Sequence, residues 1–220
     1  MPRASDWLMC ASVHRYFPRL VSLWHIGIGF VTKNFTDWNM MMSAETGAKK
    51  TKSTDLTTRT GFIFQVRPSR PSDEAALAKF FSQISAADMR FRFLTAIKEV
   101  GHDRLVTMTT TDHHRTENFL AFIDDEAEII ATAMLACDEK LEIGEIATAI
   151  LPEFKHKGVS WDMLAYVVRY AEEIGVKSIV SIESRDHHEA IAMEKEMGFT
   201  SESYPGDATL VLLKRVLKSK

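Results

Sequence analysis

The chain has 220 residues, 45% of them hydrophobic and 26% charged, with a formal net charge of −3. That apolar share supports a sizeable core and excludes wholesale disorder, and the slight acidity argues against a general nucleic-acid binder, which needs a basic stripe. Two cysteines, Cys10 and Cys137, make neither a disulfide framework nor a zinc quartet, so free thiols in a reducing, cytoplasmic setting are expected.

Residues 1–42 hold Trp7, Trp24 and Trp38 and end in Met40, Met41 and Met42. The run LVSLWHIGIGFV, from Leu20 to Val31, is too short to span a bilayer and contains His25. No small-residue cleavage site follows it, and apolar residues crowd every face, so neither a secretory signal nor an amphipathic anchor is expected. This stretch reads as an N-terminal extension with no membrane role. Residues 43–60 are polar and rich in Thr and Lys, which reads as a flexible linker, and the globular domain is expected over 61–220.

From Gly61 the pattern is regular. GFIFQVRP alternates and predicts a strand over 61–68. Ser72 is placed to cap a helix whose apolar stripe is Leu77, Phe80, Phe81 and Ile84. Ser85 and Asp88 suggest a capping box for a second helix over 86–98. Strands are expected over 118–124, 128–137 and 141–151, joined by acidic turns as an antiparallel meander. Val159, Met163, Leu164, Val167, Val168, Ala171 and Ile174 predict one helical face over 159–174, stopped by Gly175. A buried strand over 177–183 follows. Asp186 with Glu189 suggests the cap of a last helix ending at Gly198. Short strands near 200–204 and over 208–216 complete the order.

Three segments in this order resemble the GNAT acetyltransferases: GEIATAILPEFKHKGVSWDML, EAIAMEKEMGF and VRPSRPSDEAALAKFFSQISAADMRFRF. The last is similar to the opening of the GNAT domain in bacterial Pat-type protein-lysine acetyltransferases, with Arg67-Pro68, Asp73 and Arg92-Phe93 as counterparts. The resemblance covers about 62–217. It implies an α/β fold of the α+β type, a mixed and mostly antiparallel sheet flanked by about four helices, and direct transfer of acetyl from acetyl-CoA to an amine. The amine would be a protein lysine or a small molecule, and a homodimer is common among relatives.

The resemblance implies a pyrophosphate loop at Lys155, His156, Lys157, Gly158, Val159 and Ser160. Such a loop presents backbone N–H groups at a helix start to the diphosphate, aided by the helix dipole. Only Gly158 keeps the glycine expected there, while Lys155, Lys157 and His156 bring positive charge. The backbone of Ile150 and Leu151 is implied to meet the carbonyl and pantetheine, and His187 to stand where an asparagine often contacts pantetheine. Glu145 aligns with the acidic residue of Pat-type members and is the candidate general base. Glu194 holds the place of a tyrosine acid found in many members, and a charged carboxylate there would oppose a departing thiolate, so no acid is assigned. The alternative function is a non-catalytic module that binds acetyl-CoA or CoA through a degenerate site. The pairs His113-His114 and His187-His188 diverge too much on a backbone to chelate, and no metal site is expected. Arg90 and Arg92 read as surface residues, and Cys137 as a core thiol.

Overall fold

The computed structural model describes residues 53–218. Residues 1–42 and most of the segment read as a linker lie outside the described residues. Among the described residues eight strands form one sheet in the order β1-β2-β3-β4-β5-β6-β8-β7. They are β1 (Thr54–Thr57), β2 (Ile63–Pro68), β3 (Thr116–Ile123), β4 (Glu128–Cys137), β5 (Ile143–Ile150), β6 (Ser178–Ser184), β7 (Thr200–Ser203) and β8 (Leu210–Val216). Every neighbouring pair is antiparallel except β5 with β6. Among the described residues five α-helices accompany the sheet: α1 (Glu74–Gln83), α2 (Ala86–Phe93), α3 (His102–Thr109), α4 (Val159–Ile174) and α5 (His188–Glu196).

The sheet is covered on both faces, which is why β3 and β4 read as near-continuous apolar runs. Alternation along β3 assigns the covers. Phe119 meets Tyr166 and Tyr170 of α4 edge-on, at centroid distances of 5.1 and 5.0 Å. Its neighbour Asn118 points the other way, donating to the Met108 carbonyl of α3 at 3.0 Å. Thus α3 and α4 lie on opposite faces.

The motif Arg67-Pro68 with Asp73 proves to be architectural. Arg67 is buried and grips Asp73 with two guanidinium nitrogens, at 2.7 and 2.9 Å, while Nε donates to Glu126 at 2.7 Å. A fork of this kind fixes both distance and orientation between β2 and the start of α1.

Several sequence expectations need correction. The linker reading fails at its C-terminal end, because Thr54–Thr57 pair with β2 as an edge strand. Their polar side chains are mostly exposed, so no apolar alternation announced the strand. Helix α2 stops at Phe93 instead of reaching 98, because Leu94 takes the left-handed conformation, φ 51°. Helix α3 had no counterpart in the reading; its Thr-rich sequence has modest helix propensity, and burial of Leu105 and Met108 holds it. Asp186 does not cap α5. The His187 N–H bonds the Ser184 carbonyl at 2.9 Å in a turn, which delays the helix to His188.

The feature that matters for function is a parting of strands. β5 and β6 are paired only at Ile143 with Ser178, Gly144 with Ile179 and Glu145 with Val180. Beyond these, β5 follows β4 to Ile150 and β6 follows β8 to Ser184. The two strands therefore open as a wedge with Glu145 at its apex. Gly144 suits the closed end: a Cβ there would lie 2.8 Å from Leu135 Cδ1 and 3.1 Å from Cys137 Sγ.

Candidate active site

The backbone of β5 faces the wedge in a regular way. The Leu151 N–H donates to the Ile130 carbonyl at 2.9 Å while Ile150 stands opposite Ala131. In an antiparallel ladder this makes Ile150 a non-hydrogen-bonded partner, whose own N–H and C=O point away from β4. The alternation carries back to Thr148 and Ile146. Thr148 and Ile150 thus turn their peptide groups into the opening, with the Ile146 carbonyl beside them, while the Ile146 N–H serves the last pairing with β6. Ile150 is one of the expected contacts. Leu151 is not brought to the wedge, since its N–H is held by Ile130 and its carbonyl accepts from Phe154 N–H at 3.0 Å.

Glu145 is partly open to solvent yet enclosed by protein on its flanks. Burial pushes its carboxyl up from 4.5 to about 7, against the opposing pull of Arg92. Arg92 is itself buried on α2, where desolvation lowers its guanidinium to about 9 even with Glu145 supporting its charge and Arg104 opposing it. The expectation of a surface Arg92 is overturned; Arg90 is exposed. The adjacent apolar residues Met89 and Phe93 carry α2 into the core, and Arg92, at helical spacing from Met89, is carried with them. Tyr204, just after β7, is buried, and its phenol is raised by burial and by the charges of Glu145 and Asp207. Nothing local along the chain marks Tyr204, which lies 59 positions from Glu145.

At the wide end of the wedge a short 3-10 turn, Pro152–Phe154, leads to α4. Gly158 sits at the N-cap position with φ 89°, and no side chain caps the helix. The first N–H groups of α4, around Val159 and Ser160, have no acceptor within the helix and are available to an anion. The Val159 side chain is core, so only its backbone serves such a role. Gly158 is required for packing as well as conformation: a Cβ would stand 2.9 Å from Thr58 Cβ. Thr60 Oγ1 donates to the Lys157 carbonyl at 2.7 Å, so the turn between β1 and β2 buttresses the loop.

The basic side chains of the loop are engaged elsewhere. Lys155 Nζ binds Asp88 Oδ1 of α2 at 2.6 Å. Lys157 Nζ lies over the rings of Phe154 and Phe62, at 4.7 and 5.3 Å. His156 is exposed and holds φ 60°, the left-handed conformation that glycine adopts without strain.

His187 reaches the other wall, where its Nδ1 lies 2.7 Å from Glu183 Oε2 and its ring stacks on Phe91 at 4.3 Å and 8°. Glu194 is buried and accepts a hydrogen bond from the Ser181 hydroxyl. Burial, reinforced by the neighbouring Glu183 charge, pushes its carboxyl up to about 8. Cys137 is a buried thiol raised to about 12 by burial and by Asp138, in keeping with a core role. His113 bonds Glu117, and among the described residues no cluster of three or more metal-binding side chains forms.

A splayed β5–β6 pair followed by a glycine-turned helix start matches a known family. The sequence profile described as the Acetyltransferase (GNAT) family matches residues 82–199, more than half of the chain. The protein belongs to the GNAT acetyltransferase family. Members of this family are acyltransferases with acetyl-CoA as cosubstrate, and this chain carries both assignments. The chain is 24% identical over 150 residues to acetyltransferase PA5475 of Pseudomonas aeruginosa, covering 67% of this chain and 80% of that one. The fold is shared with the GNAT domain of S. lividans PAT, at a TM-score of 0.70 and 20% identity, over 75% of this chain and 97% of that domain. The ribosomal-protein-S5-alanine acetyltransferase of Vibrio fischeri also shares the fold, at a TM-score of 0.58 and 14% identity, over 75% and 96% of the two chains. Among the described residues no helix is long and apolar enough to cross a membrane.

Proposed function

We propose that this GNAT acetyltransferase acetylates a primary amine, the side chain of a protein lysine, with Glu145 as general base. The observation that carries the reading is the position of Glu145. It is the last β5 residue paired with β6, at the apex of the wedge that receives the cofactor, and its carboxyl lies near neutrality. A lysine ammonium of pKa about 10.4 must lose a proton before its nitrogen can attack. A carboxyl poised near 7 is ionised in part at neutral pH and retains the basicity to take that proton directly or through one water. Acetyl-CoA would lie along the edge of Ile146, Thr148 and Ile150, with its diphosphate at the start of α4. The likeness of the opening segment to Pat-type enzymes, and of the fold to the S. lividans domain, supports a protein acceptor.

The engagement of Lys155 and Lys157 with other groups favours a second reading, a module that holds acetyl-CoA without turnover. One experiment separates the two. Acetyl-CoA binding is measured by calorimetry, and thiol release is followed with a tetralysine peptide as amine probe. Wild type should bind and turn over, and Glu145→Gln should bind with an unchanged Kd while kcat falls by about a hundredfold or more. Tight binding with no turnover by wild type would establish the second reading instead.

A further inference from the structure

The turn between β1 and β2 carries a cation that neither the fold nor the proposed base mechanism uses. Three of the four β1 residues are exposed, so this hairpin adds little to the core. Its turn is nevertheless tightly tied. The Gly61 N–H donates to the Thr58 carbonyl at 2.9 Å, the Thr58 N–H donates to the Phe62 carbonyl at 2.9 Å, and the Phe62 N–H donates to Thr58 Oγ1 at 3.1 Å. Thr58 is buried beside Gly158, and Thr60 Oγ1 donates to the Lys157 carbonyl at 2.7 Å. The turn is thereby fixed to the loop that opens α4. Arg59 stands at its tip, exposed, with its guanidinium 4.9 Å from the ring centre of Trp161 in the first turn of α4.

Charge gives this pair a use. CoA carries a diphosphate and, one ribose away, a 3′-phosphate of charge about −1.5 to −2. The first N–H groups of α4 suit the diphosphate, and the phosphomonoester needs a cation of its own. Two cations of the loop are engaged elsewhere, Lys155 with Asp88 at 2.6 Å and Lys157 over the rings of Phe154 and Phe62 at 4.7 and 5.3 Å. Arg59 is placed differently. Stacking on an aromatic ring uses the face of a guanidinium and leaves its N–H edge for an oxyanion. Asp162, the residue after Trp161, is its countercharge; burial raises that carboxyl against the pull of Arg59 and Arg169. A phosphomonoester brings more charge than one carboxylate and meets the fork with two oxygens.

We propose that Arg59 and Trp161 form the subsite for the 3′-phosphate of acetyl-CoA, with Arg59 as the partner of the anion and Trp161 as the platform that holds the guanidinium in place. The inference rests on the diphosphate lying at the start of α4. It gives the β1–β2 hairpin a function, the selection of the 3′-phosphorylated cofactor over its dephosphorylated form. A rigid turn suits that function, because a guanidinium already held in position loses little freedom when the anion arrives.

Calorimetry of the full chain with acetyl-CoA and with its 3′-dephospho analogue tests this in wild type, Arg59→Gln, Arg59→Lys and Trp161→Leu. Wild type should bind acetyl-CoA about tenfold more tightly than the analogue, the worth of one charge-assisted hydrogen-bonded pair. Arg59→Gln should lose that preference: acetyl-CoA weakens about tenfold while the Kd of the analogue stays unchanged, which also shows that the variant is folded. Arg59→Lys keeps the charge without the planar fork, so part of the preference should survive and should fade as salt is added. Trp161→Leu should reduce the preference in the same sense as Arg59→Gln. A wild type that binds both ligands equally overturns the proposal. So does an Arg59→Gln variant that keeps the preference or weakens both ligands alike. A wild type that binds neither ligand overturns the placement of the cofactor at α4, and this proposal with it.

Discussion

Arg92 of α2 and Glu145 of β5 set each other's charge. Burial raises Glu145 and lowers Arg92, and each supplies the opposite charge that partly offsets the other's desolvation. The balance leaves Glu145 near neutrality instead of in the ordinary carboxylate range. Arg92→Met should remove the charge that favours ionised Glu145. Its carboxyl would then rise above about 7. The acid limb of the kcat profile should move to higher pH, so that activity falls at pH 7 and recovers as pH is raised. A limb that stays in place in a folded variant would show that Arg92 does not set the charge of Glu145.

The fork between Arg67 and Asp73 is a stability element. Asp73→Ala leaves a buried guanidinium with half of its anchorage gone, and such losses cost about 3–5 kcal/mol. Denaturant unfolding should show this loss. The change should leave the acid limb of kcat in place at temperatures where the variant is folded, since the fork joins β2 to α1 and does not touch Glu145.

Gly158 is constrained twice, by φ 89° and by Thr58 Cβ at 2.9 Å from any added Cβ. Gly158→Ala should destabilise by roughly 1–2 kcal/mol from the left-handed backbone alone. If the α4 start holds the diphosphate as proposed, it should also raise the Kd of acetyl-CoA, because relief of the clash moves that helix start. Calorimetry and chemical denaturation on one preparation read both effects.

The ion pair between Lys155 and Asp88 engages a cation of the loop that the proposed site offers to a diphosphate. Asp88→Asn should tighten acetyl-CoA binding by roughly two- to fivefold, the worth of one partly exposed charge pair. The gain should shrink as salt is added. Unchanged affinity at low salt would mean that Lys155 has no part in binding the diphosphate.

Glu194 ties stability to pH. Its folded carboxyl is raised to about 8 from an ordinary 4.5, so the native state holds the proton more tightly than the unfolded chain. The stabilisation is complete below pH 4.5 and is lost as pH rises toward about 8. Wild type should therefore lose stability across this window, and Glu194→Gln, which cannot ionise, should flatten the slope. Thermal unfolding at a series of pH values checks it.

The amino-acid sequence alone determined the order of the main elements, because periodicity and punctuation are local. The stripe from Val159 to Ile174, the stop at Gly175 and the apolar runs of β3 and β4 each lie within one element. It also singled out Glu145 and the loop around Gly158, because those motifs are contiguous. Tertiary structure alone decided what each residue is for. Thr54–Thr57 looked like linker because an edge strand gains its hydrogen bonds from β2 and not from its own pattern. Asp73 looked like a first-turn acid until Arg67 closed on it. Arg92 looked like surface until burial of α2 carried it toward Glu145. Glu194 looked like an ordinary charged carboxylate until burial, reinforced by the Glu183 charge eleven residues earlier on another element, raised its hold on a proton. Charge state depends on the surrounding dielectric and on neighbours distant in the chain, and only the folded chain supplies either.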